Sequence, residues 1–223
     1  MCIRSALGAV PIVAAGALLP YAAAAANPPN PPRALAFMAQ GSSPNMLGTT
    51  ALPIRASRFA ESWSRAREDA SASPILQRLV APARRLSPLQ QIAYVQRAVG
   101  SRIRFLSDTT QWGQHDYWAS ASETLARGAG DMEDRAIVKM QALQALGFRP
   151  TDLFLTLARD RVGGPIAVLT ARINGRYFVL DDNSGAPFPI ERRAFEFQPL
   201  MSFGWAGTWV HTRPAAARAG ASK

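Results

Sequence analysis

Three features of this 223-residue chain predict an α+β fold. Apolar residues recur at helical spacing through the first two thirds. They alternate at strand spacing after Pro150. An Asn-Gly pair at 174–175 then divides the strand-forming region. With helices first and antiparallel strands after, the longest apolar helix is expected to pack on a sheet made by the C-terminal half.

The start of the chain reads as a removable leader. Arg4 precedes an apolar run over residues 6–19, then come Ala22 to Ala26 and Asn27-Pro28-Pro29. A basic start, a short apolar core and small residues at the exit describe a signal peptide over 1–26, cut after Ala26. Pro11, Gly16 and Pro20 make a poor spanning helix, and the run is shorter than the roughly 20 residues a bilayer needs. The single cysteine, Cys2, lies before the apolar core and leaves with it. The exported chain therefore has no thiol and no disulfide, and stable membrane insertion after cleavage is not expected.

Residues 27–52, rich in Pro, Ala, Ser, Asn and Gly, read as a flexible leader with a short strand near 34–38. The domain proper is expected over 53–213, followed by a disordered tail, 214–223. Phe59 and Trp63, one turn apart, mark a helix within 55–68. Ser73-Pro74 starts a second helix, to Leu79. Ser87-Pro88 starts a third, with Leu89, Ile92, Val95 and Val99 on one face and Gly100 at its close. Residues 103–105 read as extended and 108–117 as a polar, aromatic loop. The main helix opens at Asp131, whose carboxylate suits the free amides of the first turn, and ends at Gly147 before Pro150. Met132, Ala136, Met140, Leu143 and Leu146 form its apolar stripe. Strands follow over 153–157, 166–173 and 176–181, the latter two joined by Asn174-Gly175 as a tight hairpin, with a last strand or pair within 195–210.

Net charge is +10, or +9 once Arg4 is lost with the leader. The excess comes from arginine, since lysine occurs only at 139 and 223. No basic run is interleaved with aromatics, so nucleic acid is not an expected partner.

The densest motif is Asp116-Tyr117-Trp118-Ala119, Glu123-Thr124-Leu125, Gly128-Ala129-Gly130-Asp131, Glu133-Asp134 and Ala136-Ile137, with Lys139, Leu143 and Leu146-Gly147. On these residues the chain resembles the bacterial transglutaminase-like cysteine proteinases, over roughly residues 86–210. The resemblance implies a papain-like or transglutaminase-like fold, with N-terminal helices and a central helix packed on an antiparallel sheet. It also implies a periplasmic location. The best-known members of the family clip giant biofilm adhesins and are held by a membrane receptor for cyclic-di-GMP.

Such enzymes need a Cys at a helix start, where dipole and amides favour thiolate, a His on a neighbouring strand and an Asp that orients it. By the resemblance Met132 stands at the Cys position, and Ile166, opening Ile166-Ala167-Val168-Leu169, stands at the His position. The Asp is retained in Leu180-Asp181-Asp182-Asn183. Asp181 matches by spacing and Asp182 by its Asn neighbour. A thioether cannot ionise and isoleucine cannot take a proton, so two of the three groups are lost. Neither His115 nor His211 replaces them on motif grounds, and Ser120 and Ser122 lack a recognisable base. The resemblance also implies that Trp112, Tyr117 and Trp118 line the cleft mouth, where core aromatics beneath a loop fit the same residues equally well, and that Asp131 and Glu133 hold calcium. Asp131 as a helix cap and Glu133 as a first-turn acid account for the same residues without an ion. The leading reading is an inactive family member that binds a periplasmic polypeptide or membrane receptor. The alternatives are an active hydrolase of the same family with an unusual nucleophile and a structural envelope protein.

Overall fold

Serine and proline start the helices where the sequence places them. In α2 (Pro74–Val80) and α3 (Pro88–Arg102) an extended Ser precedes Pro at the first helical position. There the missing N–H costs nothing and the fixed φ suits the helix. Ser87 also donates its N–H and its hydroxyl to Gln90 Oε1, at 3.0 and 2.9 Å. Helix α3 runs through Gly100 to Arg102 instead of closing at the glycine. The first helix, α1 (Ala60–Ala66), is shorter than the expected span.

The computed structural model describes residues 45–68, 70, 72–192 and 197–212. The expected signal peptide, residues 27–44 with the strand expected near 34–38, and the tail from 214 lie outside the described residues. Residues 45–52 correct the leader reading. They form β1 (Asn45–Met46) and most of β2 (Thr49–Ile54), joined by Leu47 and Gly48, both at positive φ. Pairing of β2 with a C-terminal strand supplies the order that its Pro- and Thr-containing sequence does not advertise.

Two more helices precede the central one, the first of them in place of the loop expected over 108–117. Helix α4 (Asp108–Trp112) ends at Gly113, in the left-handed region. Helix α5 (Ala121–Arg127) starts with a reciprocal cap. Glu123 N–H donates to Ser120 Oγ at 3.3 Å, and Glu123 Oε2 accepts from Ser120 N–H at 2.8 Å. Two-residue strands β3 (Arg104–Phe105) and β4 (Ala129–Gly130) pair in parallel beside it.

The central helix α6 (Met132–Ala145) is buried on every side rather than along one stripe. Ala136 to Leu143 are consecutively buried. One side packs on β5 (Leu153–Asp160) and β6 (Pro165–Ile173), and the rest meets α2, α3 and α5. The expected hairpin is present. Asn174 (φ 51°) and Gly175 (φ 79°) turn β6 into β7 (Arg176–Leu180), with Ile173 paired to Arg176. With β8 (Phe188–Pro189), β9 (Phe197–Gly204) and β10 (Gly207–Thr212), the eight strands form one antiparallel sheet, in the order β1-β2-β10-β9-β5-β6-β7-β8.

Each face of the sheet carries its own core. The helical face buries Leu153, Leu155, Leu169, Leu180 and Phe203 against α6 and the aromatic residues Trp63 and Trp118. The reverse face buries Phe154, Val168, Val179 and Trp209 with Met46 and Leu47 of the N-terminal hairpin. Through this second core runs a chain of side-chain hydrogen bonds. Thr49 donates to the Met46 carbonyl at 2.9 Å, so its oxygen accepts from His211 Nδ1–H at 2.7 Å. His211 Nε2 then accepts from Ser202 at 2.8 Å, and Ser202 accepts from Thr156 at 2.8 Å. The tautomer is assigned by this direction of donation. Burial lowers the His211 pKa to about 4.

A base whose folded pKa lies below its unfolded value of about 6.5 binds more protons when unfolded. Stability is therefore full above pH 6.5 and is lost as pH falls from 6.5 towards 4. The loss is of the order of 3 kcal/mol at roughly 1.36 kcal/mol per pH unit. His211→Gln, which cannot titrate, is expected to flatten this part of the stability profile. Urea unfolding of both proteins between pH 4 and 7 measures the difference, and parallel profiles would show that His211 does not report the buried network.

Candidate active-site cleft

The N-terminus of α6 faces the sheet end where β5 and β6 meet. Between them lies a cleft of about 460 Å³, lined chiefly by Phe59, Trp118, Met132, Leu157, Ile166 and Met201. The two positions where the resemblance implies thiol and imidazole thus open onto one cavity, and both are apolar. Among the described residues its charged lining is Arg58, Asp116 and Glu133, and no Cys, Ser, Thr, His or Lys lines it.

The retained acids are engaged elsewhere. Asp182 pairs with buried Lys139 of α6 at 2.5 Å and with Arg135 at 3.2 Å. Asp181 ties its own turn, accepting from Asn183 N–H and Ser184 Oγ, both at 3.1 Å. Neither lines the cleft.

The three aromatic residues separate. Trp118 lines the cleft and is fully buried, stacked on Phe59 at 5.3 Å and edge-on to Phe203 at 5.2 Å. Its indole N–H donates to Asp116 at 2.8 Å. Trp112 and Tyr117 pack on each other at 4.5 Å outside the lining, with Arg127 over Trp112 and Arg65 over Tyr117. His115 and Ser122 are exposed and Ser120 is the α5 cap, while His211 belongs to the reverse face.

Beside the cleft the acids converge. One carboxylate oxygen from each of Asp108, Asp131 and Asp134 lies within 4.8 Å of the others, and the same holds for Asp108, Asp116 and Glu133. Asp108 and Asp134 each spend one oxygen on the backbone that positions Trp118. Tyr117 N–H donates to Asp108 Oδ2 at 2.5 Å and Ala119 N–H to Asp134 Oδ1 at 2.8 Å. Their other oxygens, Asp108 Oδ1 and Asp134 Oδ2, are buried with no hydrogen-bond partner among the described residues, as is Asp131 Oδ1. Asp131 occupies the helix cap but makes no capping hydrogen bond, contrary to the sequence expectation.

Burial, reinforced by neighbouring negative charge, raises the pKa of Asp131 and Glu133, and lifts Asp134 to about 8. Gly130 allows this crowding. A Cβ there would sit 2.7 Å from the Asp134 Cβ, a clash with no flexible end to yield. The sequence reading reached Asp131 and Glu133 but not Asp108, which joins the two groups. Its only signal is an acid after Ser107, indistinguishable in sequence from a helix start.

Fold and cleft together are those of a cysteine-peptidase architecture. The family profile described as bacterial transglutaminase-like cysteine proteinase (BTLCP) matches residues 47–216, and the chain belongs to this family. Among solved structures it is similar to Legionella pneumophila LapG, at 24% identity over 60% of this chain and 74% of that one, with a TM-score of 0.52. The calcium-bound form of that protein matches at 24% identity over 64% and 80% of the two chains, TM-score 0.50. The EGTA-treated form matches at 21% over 72% and 88%, TM-score 0.52. At these identities the likeness shows the fold. The comparison with curated proteins gave no match.

Proposed function

We propose that this protein is an exported, catalytically inactive member of its family, which holds a polypeptide segment in the cleft without cutting it. The observation that carries the reading is the shared cavity of Met132 and Ile166, with no side-chain nucleophile or imidazole in its lining. Peptide hydrolysis on this architecture needs a thiolate to attack and an imidazole to protonate the leaving amine. A thioether and a hydrocarbon instead offer an apolar floor suited to a partner's apolar side chain. The periplasm is the proposed location, and an extended polypeptide or a receptor loop the proposed ligand. No helix among the described residues is long and apolar enough to cross a membrane.

Fluorescence anisotropy with labelled, extended apolar peptides tests binding. Ile166→Arg puts a charge on the cleft floor and is expected to weaken binding at least tenfold, equivalent to about 1.4 kcal/mol. Binding unchanged by that substitution would place the ligand elsewhere.

Calcium suits the acid cluster. Hard carboxylate oxygens are its preferred ligands, and three of those present are buried without partners. Asp131 would hold it in the group with Asp108 and Asp134, and Glu133 in the group with Asp108 and Asp116, the two groups sharing Asp108. The ion would supply charge neutralisation at the helix start and stiffen the 117–119 segment. Millimolar calcium is therefore expected to raise the melting temperature. A hundredfold excess over Kd contributes about 2.7 kcal/mol, roughly 5–10 °C for a domain of this size. Asp108→Asn and Glu133→Ala should each remove most of the response. Asp131→Ala should do so with no added cost from a lost cap. No calcium response in the unmodified protein would leave these acids as structural groups only.

A further inference from the structure

At the far end of α6 from the active-site cleft, roughly 21 Å away along 14 residues at 1.5 Å each, a second cleft of about 370 Å³ opens. It is bounded by the start of α3 (Pro88, Gln91), the exit of α6 (Leu146 to Arg149) and the end of β6 (Arg172, Ile173). Its volume falls within the roughly 300–1,000 Å³ of small-ligand sites.

Its chemistry is divided. One wall is cationic and held in place by a buried acid. Asp152 accepts from Arg149 Nε at 2.7 Å through one oxygen, and from Arg172 Nε and Nη2, at 2.8 and 2.6 Å, through the other. Burial alone would raise its pKa, but the two guanidinium groups hold Asp152 below the usual carboxylate range. It stays ionised and cancels one of the two positive charges. Among the described residues no other acid lines the cleft. Both Nη groups of Arg149 lack a partner among the described residues, and its side chain is 74% exposed. The rest of the lining is largely apolar: Leu146, Phe148 and Ile173 contribute to it and are only partly buried.

We propose that this cleft binds a carboxylate carrying an adjacent apolar group. That is the chemistry of the C-terminal residue of a polypeptide or of a free acylated apolar amino acid. The planar fork of Arg149 receives the carboxylate through paired N–H donors. Because Asp152 already fixes both arginines, little side-chain freedom is lost on binding. The apolar group covers the Leu146–Phe148–Ile173 wall. The Gln91 side chain is committed to the Ala83 carbonyl at 3.2 Å and shapes the floor rather than contacting the ligand. This site is independent of the proposed loss of catalysis.

The test is a titration of the full chain, followed by amide NMR shifts, with four probes: acetyl-Ala-Leu with a free carboxylate, the same peptide amidated, acetyl-leucine and inorganic phosphate. The free-carboxylate peptide is expected to shift the amides of Gly147, Phe148 and Asn174 and to bind at least tenfold more tightly than the amidated one. Arg149→Gln should reduce that affinity at least tenfold with only a small fall in melting temperature, since Arg172 still pairs with Asp152. Peptide binding tenfold tighter than acetyl-leucine identifies a chain end as the ligand, and equal binding identifies the free acid. Equal binding of the amidated peptide, tighter binding of phosphate, or an Arg149→Gln protein that binds normally would each overturn the proposal.

Discussion

Introducing a thiol and an imidazole together, as Met132→Cys with Ile166→His, is expected to make residue 132 react with iodoacetamide at neutral pH at least tenfold faster than in Met132→Cys alone. Residue 132 is the first helical residue of α6. The dipole and free amides of that turn favour a thiolate. An imidazole across the same cavity takes the proton and leaves an ion pair, lowering the thiol pKa further. Met132→Cys alone has the dipole but no base, and the raised carboxylates beside it oppose ionisation. Peptide cleavage by the double variant should nevertheless stay weak, because neither retained aspartate is free to orient an imidazole at 166. Asp182 is bound to Lys139 and Arg135, and Asp181 to its own turn. In serine proteases, loss of the orienting acid costs about 10⁴ in turnover. Alkylation rates of the two variants between pH 5 and 9 decide the matter. Equal rates would show that positions 132 and 166 do not communicate across the cleft.

Asp182→Ala should be among the most destabilising single changes in the domain, costing about 3–5 kcal/mol. Lys139 is 1% exposed, and among the described residues its ammonium hydrogen-bonds Asp182 and, at 3.4 Å, the Leu180 carbonyl. Burial lowers its pKa, and the charge of Asp182 works against that shift. Without Asp182 a buried cation is left unpaired, or must lose its proton. Lys139→Met combined with Asp182→Leu removes both charges and should recover most of the loss. Urea unfolding of the three proteins measures it. A loss below about 1 kcal/mol for Asp182→Ala would mean that the lysine reaches solvent.

The ion pair also shows where sequence reading stopped. Two adjacent aspartates fit the same motif position, and only the third dimension shows that Asp182 points to α6 while Asp181 caps a turn. The central helix and the β6–β7 hairpin were legible, because apolar density and an Asn-Gly turn are local signals. The first hairpin was not. Its residues, rich in Asn, Gly, Thr and Pro, acquire order by pairing with β10. Helix α5 carried a readable signal in Ser120 and Glu123, a capping pair hidden inside a motif read for chemistry. Asp108 and Asp134 lie 24 and 2 residues from Met132 in sequence, and their convergence beside the cleft depends on how α4 and α6 meet. The aromatic residues illustrate the same limit. Trp112, Tyr117 and Trp118 look equivalent as letters, yet only Trp118 is turned into the cleft.

A cleft with the family's shape but without its chemistry should bind a polypeptide and leave it whole. The most direct test is incubation of the purified mature protein, with and without calcium, with an unstructured polypeptide and with a repeat segment of a biofilm adhesin, followed by intact-mass spectrometry of both partners. No cleavage above a heat-inactivated control and no acyl adduct on the protein are expected, together with saturable peptide binding that Ile166→Arg weakens at least tenfold. Cleavage of either substrate that disappears on Met132→Ala or Glu133→Gln would contradict this expectation, and would show that this family member cuts peptides by another route.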